Sequence, residues 1–260
     1  MGVINTTPDS FSDGGQFNNT DSAVKHARKL IQDGADILDI GGESTRPGAK
    51  IVTLDQELSR TIPVIEGIRK FTDIPISIDT SKPEVMIAAA AAGVDFINDV
   101  RALQLDGALE TAARTGLSVC LMHMQGTPQS MQDDPSYLDV VDSVKGFLKQ
   151  RLTAANSAGI PNEKLIIDPG FGFGKTLQQN LQLLNSLKEF KALGYPLLVG
   201  ISRKSMLGLI LDKPIEGRLY GSLSAAVISA LSGADIIRVH DVAETRDALA
   251  IVQALRQLKI

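Results

Sequence analysis

The segment 168–176, with the letters DPGFGFGKT, combines residue types that suit the binding of a planar, polar or anionic small molecule. It follows an apolar run, 165–167, that is typical of a buried β-strand, and Asp168 stands where that strand would end. Pro169 has no N–H to donate and therefore ends the strand, and the glycines that follow allow a tight turn close to a ligand. The alternative interpretation is a flexible strand–helix loop without a ligand.

The glycines of this segment do not form a known phosphate-binding motif. The P-loop pattern G-x-x-x-x-G-K-[ST] would require a glycine at position 169 when Gly174 and Lys175 are aligned, and Pro169 is there. The dinucleotide-binding pattern G-x-G-x-x-G fails as well, because Lys175 stands where its last glycine should be.

The composition excludes several classes of function. The chain has 260 residues, of which 43% are hydrophobic, so it can bury a large core as one domain or two. The net charge of -4 gives no indication of a nucleic-acid partner. We find no signal peptide and no apolar run near the roughly 20 residues that cross a membrane, so we expect a cytoplasmic protein without a membrane partner. The single cysteine, Cys120, lies in an apolar run that is typical of core packing.

Short apolar runs alternate with amphipathic or alanine-rich stretches along the whole chain. The predicted strands are 2–5, 36–40, 75–79, 96–100, 118–123, 165–168, 197–201 and 236–240. The predicted helices include 22–33, 56–71, 83–92, 140–158, 221–232 and 244–259. This pattern predicts an α/β fold with one domain over residues 1–260, a (β/α)8 TIM barrel. A doubly wound open sheet stays the alternative, because alternation alone does not separate the two.

Polar residues stand at the predicted strand ends, where a TIM barrel has its active site. They include Asn5, Asp79, Asn98, His123, Asp168, Arg238 and His240. Two carboxylates with an amide suit a heterocycle with several N–H donors, and each charge-assisted hydrogen bond contributes roughly 1.5–3 kcal/mol. The arginines suit phosphate, which they bind through paired N–H groups. Taken singly, Asp79 or Asn98 would equally suit the cap of the next helix.

A metal site made of protein ligands alone is not expected. The chain has three histidines, and one of them, His26, lies in a predicted helix. A Mg²⁺ ion held partly by substrate phosphates, with Asn5 as a protein ligand, stays open.

The motifs at these strand ends together resemble those of the dihydropteroate synthases, the pterin-binding TIM barrels of folate biosynthesis. They are 1–15 (MGVINTTPDSFSDGG), 39–48 (DIGGESTRPG), 77–83 (SIDTSKP), 97–99 (IND), 121–126 (LMHMQG), 168–175 (DPGFGFGK), 202–205 (SRKS) and 238–241 (RVHD). The resemblance covers residues 1–260. It implies a homodimeric transferase with Mg²⁺ as cofactor that is a target of sulfonamides. The enzyme would join p-aminobenzoate to (7,8-dihydropterin-6-yl)methyl diphosphate, giving 7,8-dihydropteroate and pyrophosphate.

The resemblance also implies a role for each site residue. The pterin-binding residues would be Asp79, Asn98, Asp168 and Lys204. The diphosphate site would consist of Thr45, Arg46, Arg238 and His240, with Asn5 as the Mg²⁺ ligand. The aminobenzoate pocket would consist of Phe11, Pro47, Phe173, Lys204 and Ser205. The catalytic residues would be Asp79, Asp168, Lys204, Arg238 and His240.

Two alternatives keep this fold but change the function. A corrinoid-dependent methyltransferase barrel shares the pterin-binding Asp/Asn pattern, yet it needs neither a diphosphate site nor the SRKS segment. A non-catalytic paralogue would bind pterin or phosphate without turnover. The chain also departs from the family pattern at Thr6, where an aliphatic residue is usual, and in lacking residues before the first strand. We expect the second departure to affect stability more than chemistry.

Overall fold

The computed structural model describes residues 1–6, 16–44, 48–49, 51–127 and 130–258. The strands are β1 (Gly2–Asn5), β2 (Leu38–Gly41), β3 (Ile76–Asp79), β4 (Phe96–Asp99), β5 (Ser118–Met122), β6 (Leu165–Asp168), β7 (Leu198–Val199) and β8 (Ile236–Ile237). The helices are α1 (Gln16–Gln32), α2 (Leu54–Arg69), α3 (Pro83–Ala92), α4 (Ala108–Thr115), α5 (Val140–Ser157), α6 (Leu177–Asn185), α7 (Leu187–Lys191), α8 (Ser205–Leu211), α9 (Leu219–Leu231) and α10 (Val242–Gln257). Short 3₁₀ helices occupy Asn162–Lys164 and Ile215–Gly217.

The strands close into a barrel. β1 to β6 form a parallel sheet in chain order, and β7 pairs in parallel with β8. A bridge between Ile167 and Leu197 joins β6 to the chain leading into β7, and a bridge between Gly2 and Val239 joins β1 to the end of β8. The predicted TIM barrel is therefore confirmed, and the open doubly wound sheet is wrong.

Local sequence explains where the helices begin and end. α2 and α6 each start with a capping box made by a threonine and a glutamine. Pro83 opens α3, where its missing N–H is not needed, and Gly93 ends that helix with a left-handed φ of 100°. Gly34 and Gly233 have similar φ values of 94° and 102°, shortly before β2 and β8. No helix in the described ranges is long and apolar enough to cross a membrane.

The barrel interior has an apolar layer and a polar layer. Alternate side chains of each strand point outward to the helices, and the others point inward. At the amino ends of the strands, the inward side chains of Met1, Phe96, Cys120 and Leu198 pack together, which confirms core packing for the cysteine. The next inward layer contains the fully buried polar side chains of Asp39, Ser77 and Asn98. Polarity thus increases toward the carboxyl ends of the strands, where the candidate site lies.

Candidate functional site

Strand pairing places several predicted site residues side by side at the mouth of the barrel. In the register from β1 to β4, Asn5 pairs with Gly41, Gly41 with Asp79, and Asp79 with Asn98. Asp168 ends β6 and is 3% exposed. The closed sheet therefore directs two amides and two carboxylates, from distant parts of the sequence, to the mouth of the barrel.

Arg238 lies between two carboxylates inside the barrel. Its Nε is 2.6 Å from Oδ2 of Asp39, and its Nη2 is 3.1 Å from Oδ2 of Asp79. Burial alone would lower the pKa of Arg238, but Asp39 and Asp79 outweigh it and raise that pKa, so the guanidinium stays charged. Burial, followed by the neighbouring charge of Asp39, raises the pKa of Asp79 to about 8.

The glycine-rich segment folds back over Asp168. The backbone N–H of Gly170 donates to Oδ1 of Asp168 at 2.7 Å. Gly170 has a φ of 71°, and a Cβ atom there would lie 1.8 Å from the carbonyl oxygen of His123, so only glycine fits. Burial raises the pKa of Asp168, while the charge of Lys204 opposes this shift. Close contacts therefore hold the turn beside Asp168.

Lys204 connects the predicted pterin and aminobenzoate residues. Its Nζ lies 4.4 Å from the centroid of the Phe173 ring, in cation–π contact, and it donates to the carbonyl oxygen of Phe171. Burial lowers the pKa of Lys204 to about 8, against the attraction of Asp168. Ser205 is exposed and begins α8 directly after Lys204.

His240 is oriented by a serine of the SRKS segment. Its Nδ1 lies 3.0 Å from Oγ of Ser202, and its backbone N–H donates to the same Oγ at 3.2 Å. Arg203, the next residue of this segment, pairs with a carboxylate: its Nε donates to Oδ2 of Asp241 at 3.0 Å. Much of its charge is thereby neutralised within the protein.

Asp79 and Asn98 do not cap the helices that follow them. The helices that follow them, α3 and α4, have no side-chain cap. The loop after β4 is instead held by Asp99, which accepts the backbone N–H groups of Arg101 and Leu103, each at 2.8 Å. Asp79 and Asn98 thus remain directed into the barrel.

Sequence reasoning assigned no role to Asp39, Lys175 or His123, although all three lie within quoted motifs. Asp39 is a carboxylate inside the apolar run 37–40, and a buried charge of this kind needs a partner. A carboxylate inside an apolar run was therefore the signal that could have identified Asp39. Four predicted residues, Phe11, Thr45, Arg46 and Pro47, lie outside the described residues.

Asn5 fits a shared Mg²⁺ site rather than a site built by the protein alone. Among the described residues there is no group of three or more His, Cys, Asp or Glu side chains that would hold a metal ion. Asn5 is partly buried at the end of β1 and offers one amide oxygen. Mg²⁺ commonly binds through few protein oxygens together with substrate phosphates and water, which matches this donor set.

Comparison with known proteins gives a consistent family. Residues 1–240 match the family described as pterin binding enzyme. The dihydropteroate synthase of Escherichia coli strain K12 is 54% identical over 259 residues, covering 100% of this chain and 92% of the relative.

Solved structures of related proteins indicate the same family. The Yersinia pestis dihydropteroate synthase in complex with a sulfonamide drug has a TM-score of 0.95 at 52% identity, covering 99% of this chain and 94% of that chain. The Xanthomonas albilineans enzyme with 4-aminobenzoic acid has a TM-score of 0.95 at 50% identity, covering 100% of this chain and 93% of that chain. The chain therefore belongs to the pterin-binding enzyme family and, within it, to the dihydropteroate synthases.

Proposed function

We propose that residues 1–260 form one domain whose barrel mouth divides the dihydropteroate synthase reaction among three adjoining subsites. The reaction joins p-aminobenzoate to (7,8-dihydropterin-6-yl)methyl diphosphate and releases pyrophosphate. The observation that supports this assignment most is the direct contact between Asp79 and Arg238. A carboxylate suited to the pterin and a permanently charged guanidinium suited to the diphosphate lie 3.1 Å apart inside the barrel.

The pterin subsite consists of Asp79, Asn98, Asp168 and Lys204. The carboxylates and the amide oxygen accept the N–H groups of the heterocycle, and Lys204 supplies a donor. Oδ1 of Asn98 is buried and has no hydrogen-bond partner within the described ranges, so it is available to a ligand. Because buried polar groups need partners, a bound pterin would satisfy this atom.

The diphosphate subsite consists of Arg238 and His240, together with Thr45 and Arg46. Nη1 of Arg238 makes no hydrogen bond to the described residues, since Asp39 and Asp79 occupy Nε and Nη2. A fork of N–H groups is thus left for phosphate oxygens. Asn5 would hold a Mg²⁺ ion against the same diphosphate, and the ion would neutralise charge that develops on the leaving group.

The aminobenzoate subsite consists of Phe173, Lys204 and Ser205, with Phe11 and Pro47. The Phe173 ring provides an apolar wall, and Lys204 beside it provides a positive charge for the carboxylate of the substrate. The amine then faces the pterin methylene group. A sulfonamide carries a similar arylamine and would occupy the same subsite.

The chemistry requires charge stabilisation more than proton transfer. The C–O bond between the methylene carbon and the diphosphate breaks, and its electron pair leaves with pyrophosphate. Asp79 and Asp168 stabilise the positive charge that develops on the pterin, while Arg238 and His240 stabilise the leaving group. The arylamine lone pair forms the C–N bond, and the amine then loses a proton. No strong general base is needed, because the neutral arylamine is already a nucleophile.

The surface of α8, α9 and α10 supports a homodimer. Its exposed apolar residues include Leu209, Tyr220, Leu231, Ile251 and Leu255. The last two helices pack side by side, so their exposed faces adjoin. A second copy would cover this area, which is otherwise costly to leave in water. Ile251→Asp should produce monomers in sedimentation velocity, while the control Ile87→Asp on α3 should leave the dimer unchanged.

Competition kinetics test the assignment of subsites. We expect dihydropteroate formation to be inhibited by a sulfonamide that raises the KM for p-aminobenzoate and leaves kcat unchanged. A protein that binds the pterin diphosphate but forms no product would favour the non-catalytic alternative.

A further inference from the structure

Arg238 is oriented from below by Asp39, a residue that does not belong to any of the three proposed subsites. Asp39 is 0% exposed and lies one inward layer beneath the rim. Its Oδ2 accepts Nε–H of Arg238 at 2.6 Å, whereas the contact of Arg238 with Asp79 at the rim is longer, at 3.1 Å. Because Nε is next to the side-chain stem, a bond at this atom fixes the plane of the guanidinium and thereby the direction of Nη1.

The same carboxylate oxygen also approaches the pterin subsite. Nδ2 of Asn98 lies 3.5 Å from Oδ2 of Asp39. This contact sets which way the Asn98 amide points, so that its Oδ1 is presented as the acceptor. Asp39 therefore touches one residue of the diphosphate subsite and one residue of the pterin subsite.

Asp39 also limits how strongly Arg238 binds Asp79. In the free protein the N–H donors of Arg238 are divided between the carboxyl groups of Asp39 and Asp79. Without the charge of Asp39, Asp79 would be the only carboxylate bonded to the guanidinium among the described residues. The resulting pair would hold both side chains together and away from the substrate.

From these contacts we propose that Asp39 is a positioning residue that holds Arg238 and Asn98 in the orientations needed to bind the pterin and its diphosphate together. This inference rests on the proposed function of the two subsites. It predicts energetic coupling between Asp39 and Arg238 that a purely structural residue of the barrel interior would lack.

A double-mutant cycle tests the inference in the full-length chain. The variants are Asp39→Asn, Arg238→Ala and the double variant, with Ser77→Ala as the matched control. Ser77 pairs with Asp39 across β2 and β3, is equally buried, and its Oγ has no partner within the described ranges. Calorimetry would give the affinity of each variant for the pterin diphosphate and for the corresponding pterin alcohol, and thermal melts would show that each variant is folded.

We expect Asp39→Asn to lower the affinity for the pterin diphosphate about tenfold and to lower the affinity for the pterin alcohol clearly less. On the Arg238→Ala background the same change should cause no further loss, and should restore some affinity for the alcohol, because it removes an unpaired buried charge. Ser77→Ala should change both affinities little. Additive losses, or equal losses for the two ligands, would overturn the inference.

Failure of the proposed function would look different. In that case the wild-type protein would form no dihydropteroate. Additivity in the binding cycle, with normal turnover by the wild-type protein, would instead reject only the positioning role of Asp39.

Discussion

The Nζ atom of Lys175 lies 3.0 Å from Nδ1 of His123 in a buried contact that holds the glycine-rich segment in place. The same nitrogen donates to the carbonyl oxygens of Gly170 at 2.7 Å and Phe173 at 2.9 Å. Burial lowers the pKa of Lys175 well below its ordinary value. Burial, followed by the charge of Lys175, lowers the pKa of His123 to about 3, so the ring is neutral.

Replacement of this lysine should loosen the segment that carries Asp168 and Phe173. Lys175→Met leaves two buried carbonyl oxygens without a donor, and we expect the free energy of unfolding to fall by about 2–4 kcal/mol. The KM for p-aminobenzoate should rise, because Phe173 is no longer held. Chemical denaturation and steady-state kinetics measure both effects. Lys149→Met, on the exposed face of α5, is the control, and equal stability of the two variants would contradict this role.

Asp168→Asn should greatly weaken pterin binding. The carboxylate accepts the Gly170 N–H with one oxygen and faces the barrel interior, so an amide there loses both the charge and one acceptor atom. We expect the affinity for the pterin to fall by about 1.5–3 kcal/mol in free energy, as measured by calorimetry. Unchanged affinity would remove Asp168 from the pterin subsite.

Asp79 should release a proton when the pterin binds. Its pKa of about 8 in the free protein means that the carboxyl group is mostly protonated at neutral pH. If it accepts a pterin N–H as a carboxylate, binding must release that proton below pH 8. Calorimetry in buffers with different ionisation enthalpies measures the release, which should disappear above about pH 9 and in Asp79→Asn. Release that persists in the variant would contradict this assignment.

The same pKa shift has a consequence for stability. The unfolded chain loses this proton near the ordinary value of 3.8, while the folded protein keeps it up to about 8. The free energy of unfolding contributed by Asp79 therefore falls as the pH rises through this interval. We expect Asp79→Asn to abolish activity and to raise the free energy of unfolding at pH 8 by about 1–2 kcal/mol. Thermal denaturation across this pH range would measure the change in stability.

The base of the loop after β2 is held by a partly buried ion-pair cluster. Lys82 contacts the carboxylates of Glu43 at 2.5 Å and Glu57 at 2.5 Å, and Glu57 is 1% exposed. Lys82→Met leaves Glu57 buried without its cation, so we expect a loss of about 3–5 kcal/mol in the free energy of unfolding. Lys29→Met removes the exposed pair with Asp33 and should cost less than about 1 kcal/mol. Similar losses in both variants by urea denaturation would contradict this account.

The sequence predicted the barrel because short apolar runs alternate with helix-like stretches along the whole chain. β1, β6 and α3 have the predicted bounds. β7 and β8 are shorter than predicted, since Leu197 and Val239 pair only through isolated bridges that close the barrel. α1 starts before the predicted residue 22, because the polar residues there favoured a cap over a helix interior.

The contacts between strands could not be predicted from one sequence. Arg238 lies between Asp39 and Asp79 because of the way the strands are arranged around the barrel. Periodicity within one strand carries no information about that arrangement. The partners of Lys175 depend likewise on the left-handed turn at Gly170, which brings that carbonyl oxygen to the ammonium group.

Pyrophosphate release tests the central claim most directly. The protein would be supplied with the dihydropterin diphosphate and Mg²⁺, with and without p-aminobenzoate, and both pyrophosphate and 7,8-dihydropteroate would be measured. We predict that release requires the arylamine and matches dihydropteroate in amount. Tight binding of the pterin diphosphate without any release, in the presence of p-aminobenzoate and Mg²⁺, would contradict the account.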